Sequence, residues 1–367
     1  MKKVWGLALA IVLVPATPAA SQRPPVPADS WNQAAAASYL DGRQAWWQTW
    51  SGAARDHDTS CVSCHTSLPY ALARPALRVA LREAGTTASE QDLLADVTKR
   101  VRLWNEVEPF YSDQIQGLPK TSESRGTEAI LNALILANRD AAAGRLSDET
   151  RKAFDHLWAL QFTRGEGRGA WAWLHFDLAP WESDGAGYFG AALAAVAVGL
   201  APDAYAASPE IQERLDLLRA YLKRDAESRR PLDRVMLLWA GTAISNLVTE
   251  PERQVMLRDL TRLQNPDGGW SLASLGEWRR QDGTSSSRAS DGYATGLIAF
   301  VLRNAGVPPS QDALARALDW LVQNQDPDTG QWSASSLNLD RDPASERALF
   351  MSDAATGFAV LALTGAR

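Results

Sequence analysis

Residues 61–65 read Cys-Val-Ser-Cys-His, and they hold the only two cysteines of the 367-residue chain. Two thiols three positions apart, followed at once by an imidazole, form the attachment pattern of a c-type haem. The thiols add to the porphyrin vinyl groups and the adjacent histidine reaches the iron. The spacing lets Cys61 and Cys64 clamp one haem edge while His65 rises from the same turn beneath the metal. The pentapeptide therefore predicts one covalent haem c on Cys61, Cys64 and His65. Two other chemistries use the same residue types. A Cys61–Cys64 disulfide would suit redox exchange in an oxidising compartment, although no strand-then-helix of thioredoxin type surrounds it. A zinc site would have to recruit His57, because no second cysteine pair exists to complete four ligands.

The stretch after the motif, "HTSLPYALARPALRVALREAG", supplies Leu68, Tyr70, Leu72 and Leu77 as apolar cover for a porphyrin. Arg74 and Arg78 are the candidates to pair with its propionates, since a guanidinium grips carboxylate in a fork. A solvated helix face is the alternative reading of both. The remaining histidines are His57, His156 and His175. Of these His175, in the irregular aromatic segment "WAWLHFDLAPWESDG", is the candidate second axial ligand. Met236, Met256 and Met351 read as core filler, and a five-coordinate or water-ligated iron is also open.

The start of the chain bears on which chemistry is available. Lys2 and Lys3, the apolar run Val4 to Val14 and the small residues around Ala19 to Ser21 have the pattern of a signal peptide. That run is shorter than the ~20 residues a span requires. The expectation is a cleaved segment at 1–21 and a periplasmic or secreted protein that is not an integral membrane protein. A Pro-rich linker at 22–30 follows. The net charge is -6, and losing Lys2 and Lys3 makes it more negative. An acidic chain of this kind excludes nucleic acid as a partner. Apolar residues at 46% and charged residues at 22% describe a globular body. Its 15 Trp, against 7 Tyr and 8 Phe, predict large aromatic surfaces lining a core or an apolar pocket.

The elements that must position these residues are repeats. "LQFTRGEGRGAWAW" followed by "SDGAGYFGAALAAVAVG" matches "LQNPDGGWSL" followed by "SDGYATGLIAFVLRNAG", and both match "VQNQDPDTGQW" followed by "SDAATGFAVLALTG". Each copy runs from a helix ending at Gln161, Gln264 or Gln325, through a Gly-rich turn, to Trp171, Trp270 or Trp332. A Ser-Asp pair and a smooth apolar helix follow. Weaker pairs fill the gaps, giving about five to six helical hairpins. Asp184, Asp291 and Asp353 each precede an apolar helix and read as N-caps. Helices that are small and apolar all round are buried on both faces, so stacked hairpins form an open solenoid or a closed ring.

These repeats resemble those of the squalene–hopene cyclase and prenyltransferase superfamily over roughly residues 90 to 366. The resemblance implies an all-α fold, an α/α toroid, with the Gln and Trp of each repeat as architecture. It does not carry the activity over. No Asp-x-Asp-Asp acid motif is present, and the cysteines lie far from the positions that hold metal in prenyl transfer. The predicted organisation is an N-terminal haem-binding segment at 31–88 ahead of toroid repeats at 89–367. Two functions follow. The leading one is a monohaem protein that transfers electrons to a redox partner protein, with the toroid as scaffold. The other is a haem-dependent oxidoreductase or binding protein acting on a hydrophobic, isoprenoid-like small molecule in the toroid cavity.

Overall fold

The computed structural model describes residues 30–342 and 345–366. The expected signal segment and all but the last residue of the expected linker lie outside them. The described residues form thirteen α-helices. The first seven are α1 (Gln33–Thr49), α2 (Ser67–Ala80), α3 (Ala88–Arg102), α4 (Asp113–Gln116), α5 (Lys120–Ala143), α6 (Asp148–Leu160) and α7 (Gly187–Leu200). The rest are α8 (Gln212–Lys223), α9 (Pro231–Ala243), α10 (Glu250–Arg262), α11 (Gly292–Asn304), α12 (Asp312–Gln323) and α13 (Phe350–Thr364). Two short antiparallel strands, β1 (Ala54–Arg55) and β2 (Thr59–Ser60), sit between α1 and α2.

Composition sorts the helices into two layers. In α7 every residue from Tyr188 to Val198 is buried, and in α13 every residue from Met351 to Ala362. A helix surrounded by protein has to be apolar on all sides, whereas one facing water needs only a stripe. Helix α10 is of the second kind and buries only Met256 and Leu260. The apolar helices contact one another in the order α2, α5, α7, α9, α11, α13 and back to α2. They form an inner ring closed on itself, backed by α1, α3, α6, α8, α10 and α12. The fold is thus the α/α toroid that the resemblance of the repeats implies, and the ring is closed. The inner helices pack closely: at Gly296 of α11 a Cβ would sit 2.6 Å from the Ala359 nitrogen of α13.

One boundary needs correction. Residues 31–88 are not a segment added to a ring that begins at 89. Helices α1 and α2 form a hairpin of the ring itself, and α2 packs between α13 and α5. Leu68, Tyr70, Leu72 and Leu77 are buried in that packing.

The Gln–turn–Trp signature closes each hairpin. Gln264 Nε2 donates to the Gly268 carbonyl of its own turn and to Ala313 O in the first turn of α12, both at 2.7 Å. Gln161 bonds Gly169 O and Arg214 O in the same way, at 3.1 and 3.0 Å. The turn itself needs glycine, because Gly268 has φ +98° and a Cβ there would meet Arg316 O at 2.8 Å. Trp171, Trp270 and Trp332 each donate Nε1–H to a carbonyl of the preceding outer helix, at 2.6, 2.8 and 2.7 Å. The third copy joins the last outer helix to the first hairpin. Gln325 Nε2 donates to Asn32 O at 2.9 Å, and its Oε1 accepts from Asn32 N at 2.7 Å. We expect Gln325→Ala to lower the unfolding free energy by about 1–2 kcal/mol in urea titration. An unchanged value would mean that these bonds do not hold the ring shut.

Only one of the three repeated aspartates caps a helix through its side chain. Asp291 accepts from Ala294 N at 2.9 Å at the start of α11. Asp184 is exposed, with α7 starting three residues later behind Ala186. Asp353 lies one turn inside α13 and is buried. Among the described residues no helix is long and apolar enough to cross a membrane.

Candidate functional site

The inner helices α2, α7 and α13 begin at one end of the ring, and the loops that precede them converge there. Ser63, inside the cysteine motif, braces the turn that leads into α2, its hydroxyl accepting from Thr66 N at 3.1 Å and Ser67 N at 3.0 Å. This is the local Ser-to-backbone bond that favours a helix start. Trp47, near the end of α1, donates Nε1–H to Cys61 O at 2.7 Å and fixes the motif from the other side. The loop before α7 folds back on itself, with Leu178 and Glu182 exchanging backbone bonds at 3.0 and 2.8 Å. Asn338 clamps that loop: its side chain accepts from Ala179 N at 2.7 Å and donates to Ala179 O at 2.8 Å.

Between these loops lies a cavity of about 260 Å³, near the small end of ligand pockets. Its walls carry Trp47, Trp50, Phe110, Tyr111, Trp181 and Phe350, together with Cys61, Cys64, His65 and Met351. Glu182, Arg341 and Arg347 supply the charged groups of the wall. A polar groove shares Ala179 and Asn338 with the cavity and carries Asp177, Asp184 and Trp278.

Burial sets the protonation states. Glu182 is raised to about 7, chiefly by desolvation, with Lys120 pulling it down and Glu123 pushing it up. It therefore holds its proton through mildly acidic conditions. The Cys61 thiol is pushed up to about 11 by burial, and Cys64 is raised by burial and then by Glu182 and Cys61. His65 is pushed down to about 3 by burial and then by Arg43, so its ring is neutral.

The neutral ring has a defined tautomer. Thr66 Oγ1 donates to Asp353 Oδ2 at 2.6 Å. A hydroxyl that has spent its one hydrogen can only accept from His65 Nδ1, 2.8 Å away. The proton is therefore on Nδ1, and Nε2 keeps its lone pair. The ring stacks on Phe350 at 3.9 Å between centroids and meets Trp47 edge-on at 5.0 Å.

These thiols should be inert in the folded protein. We expect iodoacetamide at pH 8 to label Cys61 and Cys64 more than about tenfold faster after unfolding. Fast labelling of the native protein would contradict the burial, and no labelling even when unfolded would show that both sulfurs are already bonded.

The structure brings together Cys61, Cys64 and His65 but not the other predicted site residues. Arg74 is fully buried on the far side of α2, with Nε 3.0 Å from Asp41 and Nη2 2.9 Å from Glu83. Arg78 is paired with Glu90. Both are corrected as propionate partners, because carboxylates of the protein already neutralise them. His175 is corrected as the second axial ligand. It is outside the cavity wall, half-buried, with Nε2 3.1 Å from Asp184 and 3.5 Å from Asp177. Among the described residues no group of three or more His, Cys, Asp or Glu is placed to hold a metal ion, zinc included. Glu182, Trp47, Trp50, Arg341 and Arg347 were not singled out from the sequence. The one local signal was aromatic crowding, in "AWWQTW" and "WAWLHFDLAPWESDG".

No protein-family model matches the chain, and no curated protein matches it. Three solved structures of glycosidase variants do. One covers 91% of this chain and 98% of its own at 12% identity, with a TM-score of 0.51. Another covers 90% and 96% at 13% identity and TM-score 0.51. The third, in complex with glucose, covers 91% and 98% at 13% identity, again with TM-score 0.51.

The chain shares their fold.

This likeness overturns the electron-carrier expectation and its haem-dependent oxidoreductase alternative. The toroid matches these structures over nearly the whole of both chains, and the cysteine motif lies between two helices of the ring itself, α1 and α2. The wall that carries the motif also carries Glu182, whose carboxyl burial raises to about 7.

Proposed function

We propose that the cavity is the active site of a carbohydrate-active enzyme that breaks a glycosidic bond with acid assistance from Glu182. Glu182 is the observation that carries the reading: a carboxyl held protonated to about 7 in a wall of aromatic rings. A general acid works best when its pKa lies near the operating pH. In the step, Glu182 gives its proton to the glycosidic oxygen as the C1–O bond breaks, water adds to C1, and the proton that water releases restores the acid. The aromatic rings suit the C–H faces of a pyranose, and His65 Nε2 offers an acceptor for a hydroxyl. Glycosidases pair the acid with a second carboxylate, and Asp177 and Asp184 in the adjoining groove are the residues to test for that part. The glycosidase neighbours support the reading through their fold alone. The terpenoid-cyclase likeness of the repeats bears on their ancestry and not on their chemistry. Export, as residues 1–21 predict, would place the site where polymeric glycans are met.

The test is release of reducing ends from a panel of oligosaccharides, with intact mass and absorption spectra of the same preparation made with and without haem c maturation. We expect cleavage by protein that carries no added mass. A haem bonded to Cys61 and Cys64, with His65 Nε2 on its iron, is the competing occupant of this cavity. Finding it in the matured protein would fill the space and overturn the glycan reading, as would cleavage of none of the panel.

A further inference from the structure

We propose that the site takes an acidic saccharide, with the carboxylate of a uronic acid unit held by Arg341 and Arg347. The inference rests on the glycan reading of the cavity and names its substrate class.

Both arginines line the cavity. Arg341 is half-buried, and Arg347 stands at the rim with its guanidinium 5.4 Å from the Trp50 ring centroid. The chain's buried arginines are matched by internal carboxylates: Arg43 by Asp353, Arg74 by Asp41, Arg100 by Glu128, Arg280 by Asp282. Among the described residues neither Arg341 nor Arg347 has a carboxylate within ion-pair distance. Of the neighbouring acids, Glu346 pairs with Arg43 and Asp340 with Arg280. Glu182 is neutral over much of the range in which it would act.

The helix ends add to this excess. His65 lies two residues before α2, and Phe350 and Met351 open α13, so two positive helix ends face the same space. A wall with two unmatched guanidiniums, two helix N-termini and a protonated acid is built for an anion. The guanidinium fork binds carboxylate through two parallel bonds, and stacking on Trp50 orients the Arg347 fork beforehand. A sugar ring lying on the aromatic wall with a carboxylate directed to the rim meets both requirements together.

The test measures binding by calorimetry to the Glu182→Gln protein, which leaves the ligand uncut. The probes are short oligosaccharides of galacturonate, glucuronate and mannuronate, each beside its carboxyl-reduced counterpart. One acidic series should bind about 10- to 100-fold tighter than its reduced form. The Arg341→Gln/Arg347→Gln variant should lose that preference while keeping its affinity for the reduced form. Equal binding of acidic and reduced forms, or a preference that survives in the double variant, would overturn the inference and leave the glycan reading standing. Binding of no saccharide of either kind would overturn both.

Discussion

Glu182→Gln should lower the rate of glycan cleavage by about 10²- to 10⁴-fold, the usual worth of a positioned general acid. The amide keeps the shape and the hydrogen-bonding capacity of the carboxylic acid but has no proton to give. Affinity for the uncut ligand should change little, so the loss falls on turnover. The wild-type pH profile should show the same group. Activity needs the protonated form, so it is present below about 7 and is lost as the pH rises through that value. Stability gives a readout independent of catalysis. The folded pKa lies above the unfolded value of 4.5, so between the two the native state holds a proton that the unfolded chain has released. Wild-type stability therefore falls as pH rises from 4.5 to about 7 and levels off above. Glu182→Gln removes that slope, and its melting temperature should gain on the wild type between pH 5 and pH 8. Parallel melting curves across that range would show that Glu182 is not desolvated, and the acid role would fall with it.

The largest effect on stability should come from Asp353→Ala. Asp353 is buried in α13, and its carboxylate accepts from Arg43 Nε at 2.7 Å and Nη2 at 3.1 Å, Thr66 Oγ1 at 2.6 Å and Tyr39 Oη at 2.9 Å. These partners come from α1 and from Thr66, the residue just before α2, so a single side chain ties the last inner helix to the first hairpin. Removing it leaves Arg43 as a buried charge whose remaining carboxylate, Glu346, is half exposed. Breaking one member of such a pair costs about 3–5 kcal/mol, measurable in urea denaturation. The change also reaches the cavity. Thr66 loses its acceptor and is free to donate to His65, so the ring is no longer held in the Nδ1–H form. Nitrogen NMR of the histidine ring should show Nδ1–H in the wild type and a tautomer mixture in Asp353→Ala, which has no side-chain acceptor for Thr66. A loss below about 1 kcal/mol, or an unchanged tautomer, would mean that the network neither braces the ring nor orients His65.

The aspartates show how far local sequence reaches. Asp184, Asp291 and Asp353 stand in the same Ser-Asp context, and a helix cap is the natural reading of each. It holds for Asp291, whose extended backbone precedes Gly292. At Asp353 the helix starts earlier, at Phe350, which carries the aspartate inside and turns it towards Arg43. Nothing in "MSDAATG" reveals that, because the partner lies 310 residues away in sequence.

The toroid was legible for the opposite reason. The Gln–turn–Trp unit satisfies its bonds within a hairpin and its neighbour, the turns demand glycine, and a helix buried on every face must be small and apolar. Each of these is written in consecutive residues. Ring closure by α1 and α2 was not, since it depends on Gln325 meeting Asn32. The cavity was not either. Its wall is assembled from the ends of α1, the cysteine motif, the loop before α4, the loop before α7 and the loop before α13. Only the closed ring decides that Glu182 loses its water, that Arg341 and Arg347 find no internal carboxylate, and that Arg74 and Arg78 do. The sequence alone determined which residues build the hairpins. Long-range burial and charge pairing, which exist only once the ends meet, decided which residues are left for function.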